Sequence, residues 1–476
     1  MNAPLKRPTP DLLLRFAEIV GERFAISDPD IMKPYLVEMR DRYVGKAALV
    51  LRPGSVEEVS RILRLAGEAR IGIVPQGGNT GLVAGQVPYE HGNEIVLSLA
   101  RLNRIRDVDP EGNTMVAEAG VTLAEVRRAA DAVDRFFPLG LPSEGTCQIG
   151  GNVTTNAGGA AVLAYGTMRD LTLGVEVVLA DGRVWNGLRR LRKDNTGYDL
   201  KDLFVGSEGT LGVVTAASLK LFPKPRATET AFVGLATPEA AISLLNVALA
   251  HAGTQVVSFE LLPRIAIEFA LRHLDGARDP FAEPHAWYVL LELASGRADS
   301  GLDALMEALL GEALESGIAA DAVVAQSLDQ RKAFWRMRED MNDIQVREGG
   351  SIKHDVSVPV AKVPAFLREA IAAVERVVPG ARPVPFGHVG DGNIHFNVSQ
   401  PAGADKAAFL ARWEEMNDAV HEVVARYDGS ISAEHGIGRM KKDLLPSVKS
   451  EVEMDLMRGI KTLLDPAGIL NPGKLL

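Results

Sequence analysis

The chain has 476 residues, of which 46% are hydrophobic and 24% charged, as in soluble globular proteins that fold into two or three domains. Its net charge of −10 and its lack of a basic block argue against a nucleic-acid partner. The single cysteine excludes an internal disulfide, and the sequence contains neither an apolar signal core at its start nor an apolar run long enough to span a bilayer. We therefore expect a cytoplasmic protein without a transmembrane segment.

Strands and helices alternate in the first half of the chain. Ser55 with Glu58 predicts a capping box and a following helix, so residues 48–75 read as a βαβ unit. Thr122 with Glu125 predicts a second capping box before another helix. The further predicted elements are helices at 11–22, 30–38 and 201–204, strands at 94–98, 105–109, 114–118, 171–180 and 213–222, and a hairpin turn at Asp181–Gly182.

The segment Pro223-Lys224-Pro225 predicts a domain boundary. Beyond it we expect a second α+β domain, with helices packed on one face of a sheet. The predicted strands are 230–235, 256–261, 287–293, 320–325, 351–358, 382–388 and 394–399, and the predicted helices begin at Pro238 and cover 300–316, 328–347, 361–376 and 404–427.

Two glycine-rich loops, at 75–85 and 142–159, are the main indication of a cofactor. Glycine leaves backbone N–H groups uncovered and permits positive φ, so successive amides can converge on a phosphate. Either loop alone is also compatible with a long turn, but the pair favours an extended, phosphate-containing cofactor. No Gly-x-Gly-x-x-Gly follows a predicted strand, so a conventional NAD site is unsupported.

Three histidines lie in unusual surroundings. His388 and His395 flank the sequence Gly-Asp-Gly-Asn, which permits a chain reversal, so both rings can face one point across a hairpin. Glu434, which precedes the third histidine, His435, would complete a set of two imidazoles and one carboxylate, as in open catalytic metal sites. The alternative is that His388 and His395 are hydrogen-bonded turn residues.

Two basic residues are candidates for binding a carboxylate. Arg338 lies on a predicted helix and offers a bidentate fork, and Lys353 lies on the next predicted strand and offers a point charge. Asn397 shares a strand face with His395 by the alternation of side chains. The alternative for the two basic residues is that they are simply solvated.

Six motifs in a fixed order carry a family resemblance: PQGGNTGLVAG, IGGNVTTNAGG, GSEGTLGVVT, FGHVGDGNIHFNV, SAEHGIGRMKK and DPAGILNPGK. They resemble the FAD-linked D-2-hydroxyacid dehydrogenases of the vanillyl-alcohol oxidase/p-cresol methylhydroxylase superfamily, in the D-2-hydroxyglutarate and D-lactate dehydrogenase branch. The resemblance implies an α+β fold with a two-part FAD-binding domain of the p-cresol methylhydroxylase type. The implied parts are an FAD-binding domain at 1–223, an inserted α+β substrate (cap) domain at 224–430 and a C-terminal segment at 431–476 that returns to the FAD domain.

The resemblance also implies roles for individual residues. His435 would be the general base, and the implied ligands of a divalent metal ion, zinc in the usual case, are His388, His395 and Glu434. The residues implied to contact the substrate are Arg338, Asn342, Lys353 and Asn397. Asn342 stands where this branch is expected to carry a threonine, which leaves the length and identity of the substrate side chain open.

FAD is expected to bind without a covalent link, because Asn79 occupies the position of the flavin-linking histidine in covalent relatives. The residues implied to line the cofactor are Pro75, Gln76, Gly77, Gly78, Asn79, Thr80, Gly81, Pro142, Ser143, Gly150, Gly151, Asn152, Thr155, Asn156, Gly158, Gly209, Val214 and Asn471.

The predicted function is oxidation of a D-2-hydroxy acid to the 2-oxo acid by hydride transfer to FAD, with metal assistance and a histidine base. The predicted substrate is a dicarboxylate such as D-2-hydroxyglutarate or D-malate. The alternatives are a D-lactate or glycolate type of dehydrogenase, and a flavin-binding subunit of a larger electron-transfer complex. The expected partners are an electron acceptor, either an electron-transferring flavoprotein or a quinone, and a second copy of the chain in a homodimer.

Overall fold

The computed structural model describes residues 4–476, which form two compact units. The first unit comprises the described residues up to Gly159 together with Gly166–Lys224 and Glu434–Leu476. The second comprises Ala160–Tyr165 and Pro225–Ala433.

The first unit is built on two sheets and a short two-stranded ribbon. Its strands are β1 (Ala25–Ile26), β2 (Ala47–Leu51), β3 (Ile73–Gln76), β4 (Glu94–Ser98), β5 (Ile105–Asp109), β6 (Thr114–Glu118), β7 (Arg135–Phe136), β8 (Thr172–Val178), β9 (Val184–Gly187), β10 (Val213–Lys220) and β11 (Phe222–Pro223).

Helices of the first half of the chain are mostly short. They are α1 (Pro10–Val20), α2 (Pro29–Leu36), α3 (Val56–Ala69), α4 (Leu123–Asp131), α5 (Ile149–Thr154), α6 (Val162–Tyr165), α7 (Met168–Leu171) and α8 (Lys201–Phe204). All except α6 belong to the first unit, which also contains two helices from the end of the chain, Leu445–Val448 and Glu451–Leu464.

The first sheet has the order β1-β2-β4-β3, and β2 and β3 both run parallel to β4. The predicted βαβ unit is therefore present as β2, α3 and β3, with the first glycine-rich loop directly after β3. The apolar face of α3 packs on this sheet, where Ile62 and Leu63 are fully buried. This arrangement holds the loop at the carboxyl end of a rigid strand, a common place for ligand sites in α/β structures.

The second sheet is antiparallel, with the order β5-β6-β10-β8-β9. Strands β8 and β9 form the predicted hairpin around Asp181–Gly182. Thr122 and Glu125 form a complete capping box at the start of α4, as predicted. At α3 only half of the predicted box forms, because the Glu58 side chain accepts from the N–H of Gly54 rather than from Ser55.

The second unit contains two antiparallel sheets. Its strands are β12 (Ala227–Leu235), β13 (Val256–Pro263), β14 (Trp287–Ser295), β15 (Asp321–Val324), β16 (Ser351–Ser357), β17 (Arg382–Phe386) and β18 (Asn393–Ser399). The sheet orders are β13-β14-β12-β15 and β16-β18-β17.

The remaining helices follow in chain order. They are α9 (Pro238–Ala252), α10 (Arg264–His273), α11 (Leu302–Glu315), α12 (Leu328–Glu339), α13 (Met341–Arg347), α14 (Val363–Val377), α15 (Lys406–Leu410), α16 (Trp413–Arg426), α17 (Leu445–Val448) and α18 (Glu451–Leu464). Short 3-10 turns lie at Glu22–Phe24, Gly253–Gln255, Val360–Lys362 and Lys442–Leu444. No helix in the described range is long and apolar enough to cross a membrane.

The predicted α+β fold class is confirmed, but two predicted helices are wrong in their length. The helix predicted at 328–347 is divided at Asp340, which ends α12 and precedes α13, and its ψ of 2° lies outside the helical range. No glycine or proline marks this break, so periodicity alone misses it. The helix predicted at 404–427 is likewise divided between α15 and α16.

Residues Ala160–Tyr165 belong to the second unit although they precede the predicted boundary by some sixty residues. The carbonyl of Ala160 accepts a hydrogen bond from the hydroxyl of Ser258 on β13 at 2.8 Å. Leu163 lies close to Gly390, because a Cβ added to that glycine would be 3.0 Å from the leucine side chain. This short segment therefore contributes to the packing of the second unit.

Candidate active site

His388 and His395 face each other across the hairpin of β17 and β18 in the second unit. Gly387 and Gly392 have φ of 142° and 86°, values that glycine adopts without strain; Gly387 precedes His388, and Gly392 lies within the predicted chain reversal. The two imidazole centroids are 5.4 Å apart with the ring planes at 76°. The hairpin therefore brings together the two predicted metal-binding imidazoles.

A buried carboxylate on β13 connects His388 to Arg338. Glu260 Oε1 is 2.5 Å from His388 Nδ1, and Glu260 Oε2 accepts from Arg338 Nε at 2.6 Å. Burial alone would raise the pKa of Glu260, but the charges of His388 and Arg338 outweigh it and lower the pKa to about 2. Glu260 was not among the predicted site residues, although a single acid within the apolar run VVSFELLP indicates that it has a partner.

A second carboxylate, that of Asp355, lies beside His395. The two residues are opposite each other in the register of β16 and β18, with His395 Nδ1 3.9 Å from Asp355 Oδ1. Asn393 donates to the same oxygen at 3.0 Å. Asp355 is buried and was not among the predicted ligands, but its chemistry suits a metal ion or the orientation of His395.

The four predicted substrate residues lie on α12, α13 and the strands opposite them. Lys353 pairs with Asn397 in the register of β16 and β18, and Lys353 Nζ donates to Asn342 Oδ1 at 2.9 Å. Asn397 donates to Gln345 Oε1 at 2.7 Å. The guanidinium of Arg338 lies 4.8 Å from the centroid of the Phe386 ring, a distance at which a cation–π attraction acts.

Gln345 is a further residue that the sequence analysis missed. It is fully buried, and its Nε2 has no hydrogen-bond partner within the described residues. A buried donor without a partner is costly unless a ligand or water satisfies it. Gln345 therefore has an unused donor beside Asn397, one of the predicted substrate residues.

In the first unit, the two glycine-rich loops lie against one another. A Cβ added to Gly78 would lie 2.0 Å from the carbonyl oxygen of Thr146, and one added to Gly77 would lie 3.7 Å from the amide nitrogen of Gly151. Gly150 also lies close to Ala119, with 2.6 Å between the added and the existing Cβ atoms. The loops thus meet backbone to backbone, as a cradle for a pyrophosphate requires.

Asn79, Gln148 and Asn471 present buried acceptors to this region. Their Oδ1 or Oε1 atoms have no hydrogen-bond partner in the part of the chain that is described. The amide nitrogen of Asn79 is occupied, because it donates to the carbonyls of Pro34 and Val37. Three orphaned acceptors fit a cofactor that carries hydroxyl and N–H donors, as FAD does.

Other predicted cofactor residues have structural contacts of their own. Gln76 is buried and donates to the carbonyls of Tyr35 and Gln86. Asn156 accepts from the backbone of Arg169. Similar local bonds hold Asn152 to Cys147 and Thr155 to Gly151.

The rest of the predicted set lies on these loops and on the strand and turn beside them. Gly209 approaches Pro75, since a Cβ added there would be 3.3 Å from the proline ring. Val214 is buried on β10. The remaining predicted residues are Thr80 and Gly81 on the first loop and Pro142, Ser143 and Gly158 on the second.

Glu208 anchors the segment that follows His435. Its carboxylate accepts the backbone N–H groups of Ile437 and Gly438, both at 2.7 Å, and a Cβ added to Gly436 would lie 2.8 Å from it. Burial raises the pKa of Glu208, and the two amides oppose that shift. The His435 ring nitrogen Nε2 is 3.6 Å from the Glu434 carboxylate.

Comparison with known proteins assigns this arrangement to a family. Residues 224–475 match the model described as FAD linked oxidases, C-terminal domain, and residues 47–187 match the FAD binding domain. The chain is 38% identical over 461 residues to the mitochondrial D-2-hydroxyglutarate dehydrogenase of Arabidopsis thaliana, covering 97% of this chain and 80% of the relative. It belongs to the FAD-linked D-2-hydroxyacid dehydrogenases.

A bacterial relative is as similar to this dehydrogenase as the plant one. The D-2-hydroxyglutarate dehydrogenase of Xanthomonas citri pv. viticola is 38% identical over 449 residues, covering 94% of this chain and 93% of the relative. Among solved structures, p-cresol methylhydroxylase with substrate bound has a TM-score of 0.76 at 17% identity, covering 98% of this chain and 96% of the other. At that identity the likeness shows the fold alone.

These comparisons make FAD the cofactor of the dehydrogenase, as predicted. They do not confirm the predicted cytoplasmic location, because the plant relative is named as mitochondrial. The predicted metal ion and the assignment of individual side chains stay predictions.

Proposed function

We propose that this dehydrogenase oxidises D-2-hydroxyglutarate, or a D-2-hydroxy dicarboxylate of similar length, to the 2-oxo acid with the help of a divalent metal ion. The observation that carries the proposal is the connection from His388 through Glu260 to Arg338. It joins the proposed metal-binding imidazole to a buried guanidinium. A 2-hydroxy dicarboxylate needs both, a metal ion at its hydroxyl end and a guanidinium at its distal carboxylate. The names of the relatives support the same substrate.

The donor set fits a metal ion such as zinc. The contact between His388 Nδ1 and Glu260 makes Nε2 the proposed ligand atom of that ring, and Asp355 lies 3.9 Å from His395 Nδ1. A carboxylate behind a ligating imidazole is the usual outer-shell partner, because it fixes the tautomer and makes the ring more basic. Two imidazoles with oxygen ligands suit zinc, manganese or iron.

Glu434 follows directly from a segment that is attached to β16. Ser430 pairs with Ser357, and the N–H of Ala433 points to the carbonyl of Asp355 at 3.4 Å. Glu434 is the next residue of the chain after this attached segment. This continuity supports Glu434 as the third ligand of the proposed set.

The side chains then divide the reaction between them. Arg338 and Lys353 hold the distal carboxylate of the substrate, and Asn397 orients the proximal end. His435 accepts the proton of the substrate hydroxyl on a ring nitrogen. A metal ion at His388 and His395 would supply Lewis acidity that lowers the pKa of that hydroxyl, and FAD would accept the hydride.

Anaerobic titration with pure enantiomers tests the proposal. The purified protein, with its metal content measured, should lose flavin absorbance with D-2-hydroxyglutarate and not with the L form. A chelator should abolish the bleaching, and added zinc should restore it. Bleaching that survives complete metal removal would contradict the metal role, and no bleaching by D-2-hydroxyglutarate or D-malate would contradict the substrate.

Arg338→Met tests the binding of the distal carboxylate. We expect the KM for D-2-hydroxyglutarate to rise at least about tenfold more than the KM for D-lactate, since only the dicarboxylate uses the guanidinium. Arg331→Met is the matched control, because Arg331 lies on the same helix and pairs with Glu292 instead. Equal effects of Arg338→Met on both substrates would contradict the assignment.

One observation favours a second candidate, a dehydrogenase of D-lactate or a similar monocarboxylate. Lys353 Nζ already donates to Asn342, a residue that stands where a threonine is expected in the hydroxyglutarate branch. An ammonium group engaged in this way has less capacity for a distal carboxylate. A panel of D-hydroxy acids, compared by kcat/KM, separates the two candidates.

A further inference from the structure

Glu260 is an unusual residue in its position on β13. Every residue of Val256–Pro263 is buried, and Glu260 itself has no exposed surface. A buried carboxylate is strongly destabilising unless it is paired and hydrogen-bonded. Its two oxygens contact two different elements, since Oε1 lies against His388 and Oε2 accepts from Arg338 on α12.

Glu260 contacts one nitrogen of each partner, Nε of Arg338 and Nδ1 of His388. Glu260 takes only Nε of Arg338, and the two terminal nitrogens of that guanidinium make no hydrogen bond within the described chain. On the imidazole, Nδ1 lies against the carboxylate and Nε2 points away from it. One carboxylate thus fixes the orientation of an anion-binding fork and of a metal-binding ring at the same time.

A second arginine–carboxylate pair on the same helix differs in this respect. Arg331, two helical turns before Arg338, donates both Nε and a terminal nitrogen to Glu292 on β14, each at 2.9 Å. Glu292 also accepts from Trp335 and Thr230. Arg331 and Glu292 bind each other through two hydrogen bonds and hold α12 to the sheet, so this pair serves as a structural control.

We propose that Glu260 is a positioning residue that couples the two ends of the substrate site, orienting Arg338 for the distal carboxylate and His388 for the metal ion. The inference rests on the proposed function and adds to it. Loss of this one side chain should weaken metal binding and dicarboxylate recognition together. Loss of a carboxylate that only stabilises the fold would change neither metal binding nor dicarboxylate recognition.

Glu260→Gln is the test, because glutamine keeps the shape but offers one acceptor oxygen instead of two. We expect the Kd for zinc of the metal-free, FAD-loaded protein to rise about 10- to 100-fold, the usual effect of removing an outer-shell partner. We also expect the KM for D-2-hydroxyglutarate to rise at least about tenfold more than that for D-lactate, while FAD stays bound. Glu292→Gln should lower the melting temperature and change neither the Kd for zinc nor the ratio of the two KM values.

The outcomes separate the two proposals. Unchanged zinc affinity and an unchanged KM ratio in Glu260→Gln, with a melting temperature lowered as in Glu292→Gln, overturn the positioning role and leave the proposed function intact. A wild-type protein that binds no zinc overturns the metal role itself and the inference with it. If Glu260→Gln does not fold, Glu260→Asp keeps the charge but is too short to reach both partners, and the same two measurements decide.

Discussion

The carboxylate of Glu208 accepts the backbone N–H of Gly438 at 2.7 Å, although 230 residues separate the two in sequence. The same carboxylate accepts the N–H of Ile437, and the backbone N–H of Glu208 donates to Thr154 beside the second glycine-rich loop. Glu208 therefore links a cofactor loop to the segment that carries His435, the proposed base.

We expect Glu208→Gln to lower kcat about tenfold or more while the flavin absorbance stays normal. Glutamine cannot accept both amides, so a buried N–H loses its partner and the backbone after His435 shifts. Steady-state kinetics and the visible spectrum check this. Glu125→Gln, which removes part of the α4 capping box, should leave kcat unchanged, and an equal fall in both variants would argue against a specific role for Glu208.

Gly78→Ala should release FAD. The added methyl group would collide with the carbonyl of Thr146, which forces the two glycine-rich loops apart. Gly145→Ala is the matched control on the opposite loop, because a Cβ there meets nothing within 4 Å. The flavin-to-protein ratio after gel filtration is the measurement, and full FAD occupancy of Gly78→Ala would contradict the cradle.

Asn342→Thr should improve the use of a dicarboxylate. The shorter side chain releases Lys353 Nζ, so we expect the KM for D-2-hydroxyglutarate to fall roughly threefold and the KM for D-lactate to stay constant. Asp343→Asn changes the neighbouring exposed position on α13 and should alter neither value. A rise in the KM for the dicarboxylate would show instead that Asn342 itself contacts the substrate.

Lys474 should make stability depend on pH in the alkaline range. Its side chain is fully buried, with Nζ 3.5 Å from Glu94 and 4.3 Å from the centroid of the Tyr89 ring. Burial lowers the pKa of Lys474 from its ordinary value of 10.5 to about 8, although Glu94 raises it. Between these two values the unfolded chain binds more protons than the folded one, so this group makes stability rise with pH there.

We expect Lys474→Met to reduce that rise by up to about 2–3 kcal/mol in the free energy of unfolding between pH 7.5 and pH 10. Unfolding curves across this range measure it. Lys449→Met, at a partly exposed lysine, should leave the profile as in the wild type. An unchanged profile in Lys474→Met would show that this lysine does not titrate in the window.

Local sequence signals predicted much of the fold. The two short strands 105–109 and 114–118 have their predicted bounds, because turn residues or charges mark their ends. The break at Asp340 was missed because no glycine or proline marks it in the sequence, and the residue after it, Met341, is buried in the second unit's core.

The site was predictable where one stretch of chain builds it. The reversal between His388 and His395 is local, since Gly387 before it and Gly392 within it permit the turn. The partners Glu260, Asp355 and Glu208 were missed because each comes from a strand or turn distant in sequence. Their pairing depends on sheet register and tertiary contacts, which a single sequence does not specify.

The chain passes from one unit to the other four times. The short segment Ala160–Tyr165 is as much a part of the second unit as the long segment Pro225–Ala433. Neither unit is therefore a module that can be cut out and transplanted as one piece of gene. A fragment that begins at Pro225 would lack Leu163 and the Ala160 carbonyl that Ser258 uses. We expect exchanges between homologues to tolerate a replacement of 225–433 only when residues 160–165 are taken from the same parent.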